Sequence, residues 1–141
     1  MAKARTLAHG DDGTTLKRVR EWFDIARAQV RVEATAEAAN VRTVSIQVTD
    51  RLGRDWENRA WLLKVYLTTT ESGAPSDTGN TVAWGTGTVV STDLANAIYE
   101  VVTDSDGLAT FSLTIVGAAT RYVMVEVGSG EFLAGGPFTW S

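Results

Sequence analysis

The sequence predicts an all-β fold: an immunoglobulin-like antiparallel β-sandwich of seven or eight strands, with a short amphipathic helix in an N-terminal arm. Three observations carry that reading. After residue 28 apolar side chains recur at every second position through successive short runs, the period of a strand with one buried face. Asn, Asp, Gly and Ser gather between the runs, where turns need them. No strand-like run alternates with a helical pattern, which argues against a parallel α/β sheet. A length of 141 residues suits one core. The chain divides into an arm over 1–28 and a sandwich over 29–141.

The arm begins with a polar stretch, 1–13, that has no periodicity and ends in Gly10-Asp11-Asp12-Gly13, so it reads as a tail. Over 14–28 the pattern changes. Leu16, Val19, Phe23 and Ala26 are separated by alternating gaps of three and four, with Trp22 and Ile25 widening the stripe, as one face of a helix requires. Asp12, Thr14 or Thr15 can cap its N-terminus. Lys17 with Glu21 and Arg20 with Asp24 stand at i,i+4, each pair adding ~0.3 kcal/mol to a helix.

Past Ala28 the period becomes two. Val30, Val32, Ala34 and Ala36 alternate with Arg31, Glu33, Thr35 and Glu37, and Asn40 marks a turn. Val44, Ile46 and Val48 alternate with Thr43, Ser45, Gln47 and Thr49, a β-branched run that is the clearest strand of the chain. After a polar loop over 50–59, Trp61, Leu63, Val65 and Leu67 alternate with Leu62, Lys64, Tyr66 and Thr68. A second loop over 69–80 leads to a Thr- and Gly-rich strand over 81–90, where Gly85 and Gly87 suggest an edge or a bulge. Strands over 96–103 and 109–116 flank Asp104-Ser105-Asp106-Gly107, a hairpin signal. Val123, Val125 and Val127 form another alternating run, and Gly128-Ser129-Gly130 turns the chain into a last strand over 131–140.

Composition narrows the chemistry. The 13 basic and 17 acidic residues give a net charge of −4, and the arm holds six of the basic and four of the acidic ones. The body is therefore anionic, which argues against a nucleic-acid partner. Cysteine is absent, and His9, in the polar tail, is the only histidine. Thiol nucleophiles and multi-histidine metal sites are thereby excluded. A Ser/His/Asp triad would have to recruit His9 from the tail, and neither a G-x-S-x-G elbow nor a phosphate-cradling Gly motif occurs. The expectation is a protein without catalytic activity or cofactor. Asp104-x-Asp106-Gly107 puts two carboxylates in a tight turn, open to a calcium reading, but it lacks the further ligands of an EF-hand loop; a plain hairpin is the simpler account. No leader and no apolar run long enough to cross a bilayer is found, so cytosolic synthesis without membrane insertion is expected.

Two groups of side chains are candidates for binding. In the arm, Trp22 and Phe23 are candidate anchors for a partner, with Lys17, Arg18 and Arg20 beside them to meet an acidic surface. The alternative is that Trp22 and Phe23 cover one end of their own sandwich. Of the five tryptophans, Trp56 and Trp84 fall in polar or glycine-rich surroundings where a sugar ring or a partner chain can stack, whereas Trp22, Trp61 and Trp140 fit amphipathic or alternating faces.

Several segments also resemble a known group of proteins. VRTVSIQVTDRLGRD at 41–55, GAPS at 73–76, GTV at 87–89, DSDG at 104–107 and GAATRYVMVEV at 117–127 are similar to segments of small structural proteins of tailed bacteriophages and prophages. The resemblance spans about residues 29–141 and leaves the arm outside. It implies a virion component assembled in the host cytoplasm, with capsid decoration as the favoured role. The implied partners are the major capsid protein or other virion subunits, with self-association a further option. The alternative within the same setting is a tail- or fibre-associated module that binds a host-surface glycan or receptor through Trp56 or Trp84.

Overall fold

The computed structural model describes residues 28–127 and 132–141. The helix expected over 14–28, with Lys17, Arg18, Arg20, Trp22 and Phe23, lies outside the described residues except for Ala28. The alternating runs form nine strands: β1 (Gln29–Ala34), β2 (Val41–Thr49), β3 (Leu62–Thr68), β4 (Thr81–Trp84), β5 (Thr88–Leu94), β6 (Ile98–Val102), β7 (Leu108–Thr114), β8 (Ala119–Val127) and β9 (Phe132–Trp140). They make two antiparallel sheets, one of four strands in the order β1-β2-β7-β4 and one of five in the order β5-β6-β3-β8-β9. The described residues contain no helix.

Each sheet turns one face inward, and the two inner faces share a single apolar cluster. Val44, Ile46 and Val48 of β2 and Ala109, Phe111 and Leu113 of β7 enter it from the smaller sheet. Leu63, Val65 and Leu67 of β3 and Val123, Val125 and Val127 of β8 enter it from the larger one. Burying each such Val, Leu, Ile or Phe side chain is worth roughly 1.5–3 kcal/mol relative to leaving it in water. Ala28 is buried in the same cluster, so the core begins one residue before the first strand.

Nine strands replace the expected seven or eight because the stretch 81–90 is two strands and not one. β4 is the edge of the smaller sheet beside β7, and β5 is the edge of the larger sheet beside β6. Between them the backbone leaves one sheet for the other. The N–H groups of Gly85 and Thr86 donate to the carbonyl and hydroxyl oxygens of Thr110, and Thr110 N–H donates to Thr86 O. Gly87 then takes φ +90, where a Cβ would stand 2.9 Å from Val102 O, a position that only glycine fills without strain. An unbroken alternating pattern cannot reveal such a corner, since both halves keep the same period.

The opposite edges, β1 and β9, meet where Gly135 packs against the Val32 side chain; a Cβ on Gly135 would overlap Val32 outright. Arg42 clasps this side, donating to Thr139 O at 2.9 and 2.6 Å and to Thr35 O at 2.7 Å, while Trp140 Nε1 donates to Asn40 O at 3.0 Å. Inside the same end, Arg121 is 7% exposed and has neutral acceptors: Asn80 Oδ1 at 2.8 Å, Thr78 O at 2.6 Å and Thr120 O at 2.9 Å. Burial lowers its pKa from the usual guanidinium value, and the three acceptors satisfy it without a carboxylate. Asn80 also donates to Ser76 O and Asn96 O, so this cluster ties the loop before β4 to β8.

Between β1 and β2, Ala38 and Val41 exchange backbone hydrogen bonds of 3.0 Å, and Ala39 and Asn40 take φ of 51 and 68 between them. Positive φ at both central residues defines the tight hairpin turn for which Asn-Gly is the favoured pair; alanine is disfavoured there. The double substitution Ala39→Asn with Asn40→Gly is expected to raise stability by about 1 kcal/mol, read as a higher urea midpoint at unchanged slope. Gly135→Ala is expected to lower it by about 1–3 kcal/mol in the same assay, because the added methyl has to part β1 from β9.

Candidate interaction face on the five-stranded sheet

The two tryptophans singled out as stacking platforms pack against the core. Trp84 is half-buried; its ring lies tilted at 4.7 Å from Phe111 and edge-on at 5.5 Å from Tyr99, and its indole N–H is buried without an acceptor. Trp56 is half-buried with its ring 5.2 Å from Trp61 in an edge-to-face contact, while the Arg59 guanidinium lies 4.3 Å from the Trp61 ring. Trp84 follows Val82 at a spacing of two along β4, so its inward position accords with strand period, whereas Trp56 sits in a loop that has no period to read. The arm residues Lys17, Arg18, Arg20, Trp22 and Phe23 lie outside the described residues.

The Asp104–Gly107 turn is not the expected hairpin: β6 and β7 on either side of it lie in different sheets, so it carries the chain from the five-stranded sheet to the four-stranded one, because a tight-turn sequence sets a local reversal and not which strands pair. Asp104 Oδ1 accepts from the amides of Asp106 and Leu108 at 2.9 and 3.0 Å, Gly107 N–H donates to Asp104 O, and Gln47 Nε2 donates to Asp106 O. One oxygen of the Asp104 carboxylate is therefore engaged in shaping the turn. Among the described residues no group of three or more His, Cys, Asp or Glu side chains is placed to hold a metal ion.

The most unusual surface is the outer face of the five-stranded sheet. An antiparallel sheet with one face in the core ordinarily shows polar side chains on the other. Here the outward positions form rows across the strands. Nearest the Ala28 end, Leu62 of β3 stands beside Val102 of β6, which pairs with Thr88 of β5. The next row runs from Glu126 of β8 through Lys64 to Glu100, with Val90 and Ser91 together opposite Glu100 at a bulge. The third runs from Met124 through Tyr66 and Ile98 to Leu94. Leu62 is 58% exposed, Val90 56% and Leu94 40%, and Tyr66, Ile98 and Met124 are half-buried.

Two hollows mark this face. One, of about 380 Å³, is lined by Tyr66, Thr68, Met124, Ser72, Gly73 and Pro75. Its wall is the loop after β3, which folds back so that Ser76 N–H donates to Leu67 O and Pro75 bridges to Thr68. The other, of about 210 Å³, lies at Leu62, Lys64, Glu100 and Glu126. The charges are one-sided: Lys64 is set by register between Glu100 and Glu126 and bonds Asp93 Oδ2 at 3.2 Å. The Asp93 carboxylate also accepts from the Ser91 hydroxyl at 2.9 Å. Ser91 first and Lys64 second hold the Asp93 pKa below its ordinary value, and Asp93 first, with Tyr66, holds that of Lys64 above its own.

An apolar face with an acidic middle can bury the apolar side of a partner that carries basic groups at its margin. Sequence reasoning placed Leu62 and Tyr66 only as the positions that alternate with the inward run of their strand, and assigned no surface role to Met124, Val90, Leu94 or Ile98. The signal was present in the off-phase positions of 61–68 and 122–127, which hold Leu, Tyr and Met where a solvent face needs none. Neither a protein-family model nor a curated protein matches the chain.

Two measurements test this account. The Asp93 carboxyl is expected to titrate below 3.8 in an NMR pH series, and to move back toward 3.8 in Ser91→Ala and in Lys64→Met. A depressed carboxylate stabilises the fold above its unfolded pKa and loses that contribution as pH falls through the folded one, so across the acid range the Lys64–Asp93 contact should weaken as Asp93 is protonated. Titration of the wild-type group at 3.8 would contradict the geometry. Trp84→Ala is expected to lower stability by about 3–5 kcal/mol in urea unfolding, as loss of a packed ring does; a change under 1 kcal/mol would mark a free surface platform instead.

Proposed function

We propose that this chain is a structural protein of a tailed-bacteriophage virion, most specifically an accessory protein that decorates the capsid and stabilises the head through protein–protein contacts. The observation that carries the reading is the outer face of the five-stranded sheet, where apolar side chains and an acidic row stand in a position that an isolated domain would cover with polar residues. The similarity of segments 41–55 and 117–127 to phage structural proteins supplies the setting. We also infer an immunoglobulin-like sandwich. Its support is the strand order: β1-β2-β7 and β3-β8-β9 follow the neighbour relations of strands A-B-E and C-F-G in that architecture.

On this reading the protein acts by mass action. Whatever binds only the assembled head stabilises it, by ~2.7 kcal/mol per site at a concentration a hundredfold above Kd. The partners are the major capsid protein or other virion subunits, and the arm with Lys17, Arg18, Arg20, Trp22 and Phe23 supplies the second contact. Neither catalysis nor a cofactor enters. The tail- or fibre-borne glycan module relies on Trp56 and Trp84, whose rings already contact Trp61, Phe111 and Tyr99, so the capsid reading is preferred.

Electron microscopy of particles from the phage that encodes the chain, with and without its gene, tests the proposal. Density on the head that disappears with the gene, together with loss of genome at a lower temperature, is the expected result. Density confined to the tail would favour the glycan module, and absence from particles would remove both readings. Because Ala28 belongs to the core, a truncation that probes the arm should remove residues 1–27 and no more; that protein is expected to fold but fail to decorate.

A further inference from the structure

We infer that the outer face of the five-stranded sheet is the seat for residues 14–27 of a second copy of this chain. The inference rests on reading that face as an interaction surface, and is independent of where in a virion the protein sits.

The arm has the chemistry that the face lacks. At a helical period, Leu16, Val19, Trp22, Phe23, Ile25 and Ala26 form one stripe. Arg18 falls at one margin of that stripe and Arg20 and Arg27 at the other, whereas Lys17, Glu21 and Asp24 fall opposite. The face offers the complement: Leu62, Val90, Leu94, Ile98, Tyr66 and Met124, with Glu100, Glu126 and Asp93 among them and Lys64 as the cation of their rows. The lengths agree as well. Fourteen helical residues span about 21 Å, and five strands span about 19 Å from first to last. The hollow between Tyr66, Met124 and Pro75, of about 380 Å³, is an open apolar recess for an aromatic anchor such as Trp22.

The connection to β1 decides between the chain's own arm and that of another copy. Ala28 is 5% exposed inside the core, and Gln29 is already paired with Thr49 in the four-stranded sheet. If 14–27 take the helix that their period predicts, no residues are left to carry it round β9 and across the separation of stacked sheets, about 10 Å, to the far side of the other sheet. A second molecule presents that face without any such detour. The contact is then arm of one copy on sheet of another, and closes either as a reciprocal twofold exchange of arms or head-to-tail as rings and chains.

The absence of native cysteine makes the test direct. Full-length Phe23→Cys and full-length Met124→Cys proteins, mixed under mild oxidation, are expected to form a mixed disulfide whose linked peptides are identified by mass spectrometry. Leu52→Cys, at an exposed site outside this face, gives the collisional background in place of Met124→Cys. Cross-linking at the background rate overturns the proposal. So does a Phe23→Cys/Met124→Cys double variant that links only within one chain, since the arm then lies on its own sheet. Charge reversal separates recognition from chance contact: Glu100→Lys with Glu126→Lys is expected to cut the cross-link yield about tenfold, equivalent to ~1.4 kcal/mol. Pairing that protein with an arm carrying Arg18→Glu and Arg20→Glu should restore it. No loss, or loss without restoration while near-ultraviolet circular dichroism stays native, counts against the seat. None of these outcomes depends on capsid binding, so they distinguish failure of this inference from failure of the virion reading.

Discussion

One constraint organises the molecule: each strand has to pair its backbone with neighbours while turning the same alternate side chains toward a common interior. Val44, Ile46 and Val48 meet that demand from one sheet and Leu63, Val65 and Leu67 from the other, and all are essentially inaccessible to water. The crossing between β4 and β5, the clasp of Arg42 on the last strand and the burial of Arg121 are consequences of enclosing one core with two sheets. Each sits where the enclosure would otherwise gape, at a corner, along an edge or at an end.

That constraint also sets what was legible beforehand. A period of two is a local property, so the strands, their inner faces and the Asp104–Gly107 turn could be read directly from residues such as Phe111, Leu113 and Val125. Membership of a sheet is not local. Nothing in 81–90 says that Trp84 pairs with Phe111 while Thr88 pairs with Val102, because the difference lies in what is placed opposite. The candidate face was hidden for a related reason. Leu62, Tyr66, Ile98 and Met124 are isolated off-phase apolar residues in their own strands, and become a patch only when β3, β6 and β8 lie side by side. The ring contacts of Trp56 and Trp84 were also out of reach of the sequence, because polar neighbours along the chain say little about the rings that meet a side chain in space.

The sheet edges are less inviting than the outer face. β5 carries two irregularities in register, which disturb the row of hydrogen-bonding groups that a foreign strand would need. β1 carries Arg31, held by Asp55 at 2.9 Å and Glu33 at 3.3 Å, and it is packed against β9 on the inner side. These features make β5 and β1 poor templates for an added strand.

Two of the polar joints among the described residues differ in kind. Arg121 is bonded to amide and backbone oxygens that do not titrate, and it is shut away from ions in solution. Lys64 and Asp93 are open to water, and their attraction depends on a carboxylate that acid neutralises and salt screens. The joint that shapes the interior is therefore insensitive to its medium, whereas the charge pattern on the exposed sheet follows it. Acid or concentrated salt would therefore alter the charge pattern of that outer face while leaving the bonds of Arg121 as they are.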